Sequence, residues 1–223
     1  MKQIKIFCYL TFLCFVSSGI VSGAEPRITS NRVEFKKFEE KVIFTGNVKM
    51  VFGNKILTAD NAVKDDKLKI VDLSGNVQGY YVTDNTDTVK INTESGKLDI
   101  NTNEMFFWGN AYTVYTSSSG KQINIKSSRV FLDDARKAIK FYENVTMSFE
   151  KSTAEAQQAE FLQNENKMYF FTVNGIRPVV NYANGYLGNF TADTITLFQD
   201  ERKLIFENNV ISKITKNTNR EVK

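Results

Sequence analysis

The sequence of 223 residues has no histidine, only two cysteines, two prolines and a single tryptophan. Without histidine the chain lacks the commonest general base and the commonest metal ligand. Cys8 and Cys14 both fall inside an N-terminal apolar stretch. If that stretch is removed, no thiol is left for a disulfide or a zinc–thiolate site. Serine and threonine are plentiful, yet there is no Gly-x-Ser-x-Gly elbow and no Ser-x-x-Lys with its partner motifs. Asp65-Asp66 and Asp133-Asp134 read as solvated turn residues rather than metal carboxylates. Charge of one sign is also missing. Setting aside Lys2 and Lys5, 27 basic residues face 25 acidic ones, which argues against a nucleic-acid partner. Neither a catalytic nor a cofactor-dependent role is indicated.

Met1–Ala24 has the build of a secretory signal. Lys2 and Lys5 form a basic start, Ile6–Val16 is nearly unbroken apolar sequence, and Ser17–Gly23 turns small and polar. The apolar run is short for a helix crossing about 30 Å of hydrocarbon, so cleavage is expected rather than retention as an anchor. Leu13 before Cys14 is too bulky for lipid attachment. Residues 25–223 then read as one domain, with no linker-like segment inside it.

What the chain does have is a recurring phrase. In Lys41–Phe52, KVIFTGNVKMVF, Val42, Phe44, Val48, Met50 and Phe52 fall on every second position and Gly46 takes the missing beat. Strict alternation marks a strand with one apolar face, and a glycine inside it marks a bend or bulge. Related phrases surround Asn76, Asn110, Asn144, Asn174 and Asn209, at steps of 29, 34, 34, 30 and 35 residues from Asn47 onward. Six recurrences at that spacing describe a repeat protein whose units bury their faces on their neighbours.

Each Gly-Asn strand is preceded by another: Ile28–Phe35, Ile56–Val63 with Lys67–Leu73, Val89–Thr93 with Lys97–Ile100, Ile123–Leu132, Ala154–Leu162 and Phe190–Phe198. In the third unit Ser95-Gly96 reads as a turn. In the fifth, Ser152–Gln163 is rich in Ala, Gln and Glu and reads either as a short helix or, in register with its counterparts, as a strand or loop. Thr-Ala-Asp recurs at Thr58–Asp60 and Thr191–Asp193, where the repeated aspartate suits a hydrogen bond at a strand end. The fold class expected is all-β: a twisted jelly roll or solenoid-like stack of antiparallel strands built from about six hairpin repeats.

The order "I-x-S-x-x-V-x-F…V-x-F-x-G-N-V-x-M", then "L-T-A-D-N-A-V", then another apolar strand and "G-N-V", resembles the OstA-like family of lipopolysaccharide-transport proteins. The LptA type is nearest in layout, with the LptC type as the alternative. The likeness is clearest over Ile28–Gly79 and weakens toward Val210. It departs where Asn174-Gly175 inverts the pair, where the glycine is lost before Asn144 and Asn209, and at two apparent loops, Gly79–Thr88 and Tyr182–Asn189. The resemblance implies a periplasmic jelly roll whose interior carries the acyl chains of lipopolysaccharide or a related glycolipid. It also implies partners of the same fold at the inner and outer membranes, and head-to-tail self-association.

On the residues alone, the aromatic load, 18 Phe, 9 Tyr and 1 Trp, either fills a β core or leaves a cavity completed by lipid tails. With the resemblance, the inward positions proposed for lipid are Phe35, Phe44, Val48, Met50, Phe107, Ala111, Phe141, Val145, Met147, Phe149, Ile195, Leu197 and Phe206. Two other classes stay open: a structural or adhesive repeat with a filled core, and a carbohydrate-active enzyme on a β-helix. The enzyme would need an inward carboxylate cluster where alternation puts apolar residues.

Overall fold

The structure, a computed structural model, describes residues 25–183, 186–199, 201 and 203–216; the proposed signal lies outside them. Every expected repeat appears as a pair of strands. The elements are β1 (Arg27–Thr29), β2 (Arg32–Lys36), β3 (Lys41–Phe52), β4 (Lys55–Asp65), β5 (Ile70–Val82), β6 (Thr88–Asp99), β7 (Met105–Thr116), β8 (Gln122–Asp133), β9 (Ala138–Phe149) and β10 (Ser152–Leu162). Shorter strands follow: β11 (Lys167–Phe171), β12 (Val179–Ala183), β13 (Tyr186–Thr191), β14 (Thr194–Phe198), β15 (Lys203–Glu207) and β16 (Ile211–Lys216). All pairings are antiparallel, and together the strands form one open sheet of 16.

The sheet is folded along its length because each long strand bends in the middle. At Gly46-Asn47 both residues are left-handed, with φ of +78° and +49°, and pairing with β4 skips from Thr45 to Val48. The same two-residue corner occurs at Gly75-Asn76, Gly109-Asn110 and Glu143-Asn144. Beyond it, the first and second halves of a strand belong to different layers. A front arm holds β2, the β3 half 41–45, its counterparts through β10, and β11, β14 and β15; a back arm holds β1, the β3 half 48–52, its counterparts, and β12, β13 and β16. Where corners are longer or sharper, one bent strand is simply divided in two: β1 from β2, β11 from β12, β13 from β14, β15 from β16.

Four of the corners are clasped from the strand before. Asn76 donates its side-chain amide to Asp60 at 2.8 Å, Asn110 to Glu94 at 3.2 Å, Asn144 to Ser128 at 3.4 Å and Asn209 to Asp193 at 2.7 Å. The clasping residue is always 16 positions earlier. Asp60 and Asp193 therefore do make the structural hydrogen bond expected of them.

Three readings need correction. Ser95 and Gly96 are not a turn but part of the continuous strand β6, whose corner comes one residue earlier, in the register skip between Asn92 and Ser95. Gly96 is small because the Phe107 ring packs on it: a Cβ there would lie 3.0 Å from Phe107 Cδ1. Gly79–Thr88 is the hairpin joining β5 to β6, and the described residues of Tyr182–Asn189 belong to the paired strands β12 and β13, so neither is an unusual loop. Asp133 is buried, not solvated; it pairs with Lys140 at 3.2 Å and accepts the Arg136 amide. Of the two readings left open for the Ala-rich stretch, the strand is the one found, as β10, because Ala154, Ala156, Ala159 and Phe161 face the core and tertiary packing outweighs helix propensity.

A Cβ at Gly75 would stand 2.5 Å from the Asp60 carboxylate, whereas at Gly53, also left-handed, it would meet nothing within 4 Å. Gly53→Ala should cost about 1 kcal/mol through backbone strain alone, and Gly75→Ala about 2–3 kcal/mol because the clasp must also move. Urea unfolding at unchanged m-value measures both.

Candidate functional site

The two arms enclose a continuous apolar interior. Eleven of the thirteen expected inward residues, Phe44, Val48, Met50, Phe107, Ala111, Phe141, Val145, Met147, Phe149, Ile195 and Leu197, belong to its buried core, and Phe206 packs against it half-buried. Phe35 does not join them. It faces inward by register, opposite Val42, but is 75 % exposed, because the first strand pair extends past the end of the back arm's cover. Through most of its length the interior is filled by the chain's own side chains, with Phe107, Phe141 and Phe170 among those fully buried. Of the two ways to account for the aromatic load, the filled core is the one seen.

The arms are joined by covalent continuity at the corners, so they can separate only at the opposite edge, the lip, where hairpin turns from both arms meet. Polar contacts latch its middle. Lys55 of the back arm, 4 % exposed, reaches Asp134 of the front arm at 3.2 Å. Tyr81 donates to Gln163 at 3.1 Å, and the Tyr115 hydroxyl comes within 3.3 Å of Asn166 Oδ1. Lys137 pairs with Asp84 at 3.7 Å. Burial, then the Asp134 and Asp84 carboxylates, push the Tyr81 hydroxyl up to about 12, so it remains a donor at any physiological pH. Asp87, itself buried, accepts from Tyr115.

Beyond the latch the lip opens into a notch of about 160 Å³ lined by Met147, Phe149, Val180, Tyr182, Leu197 and Leu204, together with the polar Glu150, Ser152 and Thr153. Three of these were expected from sequence. The latch residues were not, because a lysine after Gly53-Asn54 looks like any turn lysine and its partner lies 79 residues away. A usable signal exists: Lys55 and Gln163 are polar residues on the inward beat at the ends of β4 and β10. Among the described residues no cluster of carboxylates, cysteines or histidines could hold a metal.

A profile of the family described as LptA/(LptD N-terminal domain) lipopolysaccharide-transport protein matches residues 27–166. The chain belongs to that family. The match covers β1 through the turn after β10, that is, the whole run of long bent strands, and stops where strands begin to divide. Among solved structures, LptH of Pseudomonas aeruginosa, described as the LptA homologous periplasmic component of the conserved lipopolysaccharide transport device, aligns with a TM-score of 0.49 at 12 % identity. The alignment covers 56 % of this chain and 95 % of that one. No curated protein matches the sequence.

The latch makes a pH prediction. The Tyr81 pKa is raised in the folded state above its ordinary 10, so its contribution is complete below that pH and is lost as pH climbs toward about 12. Thermal midpoints across this alkaline window should fall more steeply for the wild type than for Tyr81→Phe; parallel curves would detach Tyr81 from the latch.

Proposed function

We propose that this chain, as a member of a lipopolysaccharide-transport family, works in the periplasm and carries the acyl chains of lipopolysaccharide or a related glycolipid between its two arms. The observation that carries the reading is the asymmetry of the lip. Its middle is held by a few polar contacts over an apolar interior, and one stretch is already parted into a notch that Met147, Phe149, Leu197 and Leu204 line alongside Glu150, Ser152 and Thr153. Acyl chains entering there would replace side-chain contacts with equally apolar ones, so opening costs mainly the latch bonds. The residues assigned to the acyl path are those inward ones nearest the notch, Met147, Phe149, Leu197 and Phe206, followed by Phe141, Val145 and Ile195 deeper in. Phe44, Val48, Met50, Phe107 and Ala111 would continue it, with Phe35 at the far mouth.

A photo-crosslinker at Met147 should capture lipopolysaccharide, and one at Thr146, outward on the same strand, should not. Bridging Lys55→Cys and Asp134→Cys with a short bismaleimide should abolish capture at Met147 while leaving the fold intact. A structural protein without ligand is the second reading, favoured by the filled core; equal capture from both faces, or none, would select it.

Head-to-tail association belongs to the same reading. The final edge strands β15 and β16 are separated by the Asn208-Asn209 corner, and Val210 lies between them, outside either strand. A proline there would remove no ladder bond, so the informative site is Ile214, exposed on β16. Edge strands are kept from pairing by charge. Ile214→Lys should therefore lower the mass reached in sedimentation at high concentration without shifting the thermal midpoint. A wild type that stays monomeric throughout would remove self-association from the reading.

A further inference from the structure

The outer face of an antiparallel sheet normally carries polar residues, and the back arm conforms: its row across β7 to β12 reads Tyr112, Lys126, Thr146, Glu155, Val179. The front arm does not. Its corresponding row, strand by strand from β7 to β11, is Trp108, Arg129, Tyr142, Gln158, Phe171. Aromatic rings alternate with planar hydrogen-bonding groups. Successive rings are two strand spacings apart, about 10 Å, close to the length of a disaccharide unit. A neighbouring row adds Phe106, its ring 5.5 Å from that of Trp108, and Tyr169, nearly parallel to Phe171. Lys97, Phe106, Trp108 and Arg129 line a shallow open cleft of about 360 Å³.

The charges on this face are balanced. Arg129 pairs with Glu143 at 2.6 Å, Lys97 with Asp72 at 3.6 Å, Lys140 with Asp133 at 3.2 Å and Lys167 with Glu165 at 2.9 Å. A nucleic-acid strand or an anionic bilayer is drawn by uncompensated positive charge, which is absent among these groups. Balanced ion pairs instead offer donors and acceptors side by side. We propose that the front arm's outer face binds a neutral, linear carbohydrate chain, its sugar rings stacking on Trp108, Tyr142 and Phe171 and its hydroxyls bonding to Arg129, Glu143 and Gln158. The apolar C–H face of a pyranose suits an aromatic platform, and its equatorial hydroxyls suit amide, guanidinium and carboxylate groups between the rings. This face lies on the opposite side of the sheet from the acyl path, so its test stands or falls apart from lipid carriage.

Trp108 is the only tryptophan in the sequence, so intrinsic fluorescence reports on the site directly. Titration with chitohexaose, and separately with a neutral, linear O-polysaccharide freed of lipid A and core, should change Trp108 emission saturably for at least one of them. The responding sugar identifies whether the source is a free glycan or the head of a glycolipid. By calorimetry, Tyr142→Ala and Phe171→Ala should each weaken binding by about tenfold. Tyr142→Phe should retain it, and Thr146→Ala on the back arm should leave it unchanged, with thermal midpoints identifying any variant that fails to fold. The proposal is overturned if neither sugar binds at millimolar concentration. It is equally overturned if the ring deletions leave affinity intact, or if dextran sulfate or phosphatidylglycerol vesicles bind more tightly with a salt-dependent affinity.

Discussion

The left-handed corner and its clasp set everything else in this molecule. A flat antiparallel sheet of these strands would have one apolar face and nothing to cover it. Two consecutive residues with positive φ turn the strand back over itself, so that the covering layer is the other half of the same strands. Glycine takes the first of the two positions at Gly46, Gly75 and Gly109, where a Cβ would press on Asn31, Asp60 and Glu94 respectively. Asparagine takes the second, since it tolerates the left-handed region and brings an amide to the clasp. At Glu143-Asn144 the glycine is absent and the partner across the corner is the smaller Ser128, which fits the removal of a large side chain where a Cβ has been added.

Building both layers from one set of strands makes the corner edge inextensible and leaves the lip as the only edge free to part. The polar residues gather there for a physical reason. Lys55 and Gln163 continue the inward beat at the ends of β4 and β10, where a long side chain can satisfy itself across the gap before reaching the apolar interior. Such a latch contributes little net stability compared with the core beneath it, since breaking it re-exposes groups that water can solvate. Closure by weak contacts over apolar filling is the arrangement expected of an interior that must sometimes be exchanged.

How legible this was from sequence depended on the corner type. Strands β3, β5, β7 and β9 turn on two residues, so inward positions keep one parity throughout: Val48, Met50 and Phe52 continue the beat of Val42 and Phe44. The bend, the strand ends and the inward face were therefore readable. Strands β4, β6, β8 and β10 slip by a single residue at the corner. In β4 the buried positions run Leu57, Ala59, then Ala62; in β10, Ala154, Ala156, then Ala159. A strict period of two breaks there, which is why β6 looked like two strands with a turn and β10 admitted a helix. Which residues meet across the lip could not be read, because the partners are far apart in sequence. Phe35 failed for a different reason: parity gives the face of a strand but not whether another layer reaches far enough to cover it.

That last point extends to both ends. The arms are offset, as the pairing of Lys55 on β4 with Asp134 after β8 requires. An offset pair of layers must leave the inward face of the front arm uncovered at one end and that of the back arm at the other. Val33 and Phe35 at the start, and Tyr182 and Ile214 at the finish, are the apolar residues so exposed. The two uncovered faces belong to opposite arms. A second copy placed in line would set a bare back arm beneath a bare front arm, continuing both layers with the same offset. The twist that skews the latch is thus the same feature that would make the two ends of the module complementary rather than alike.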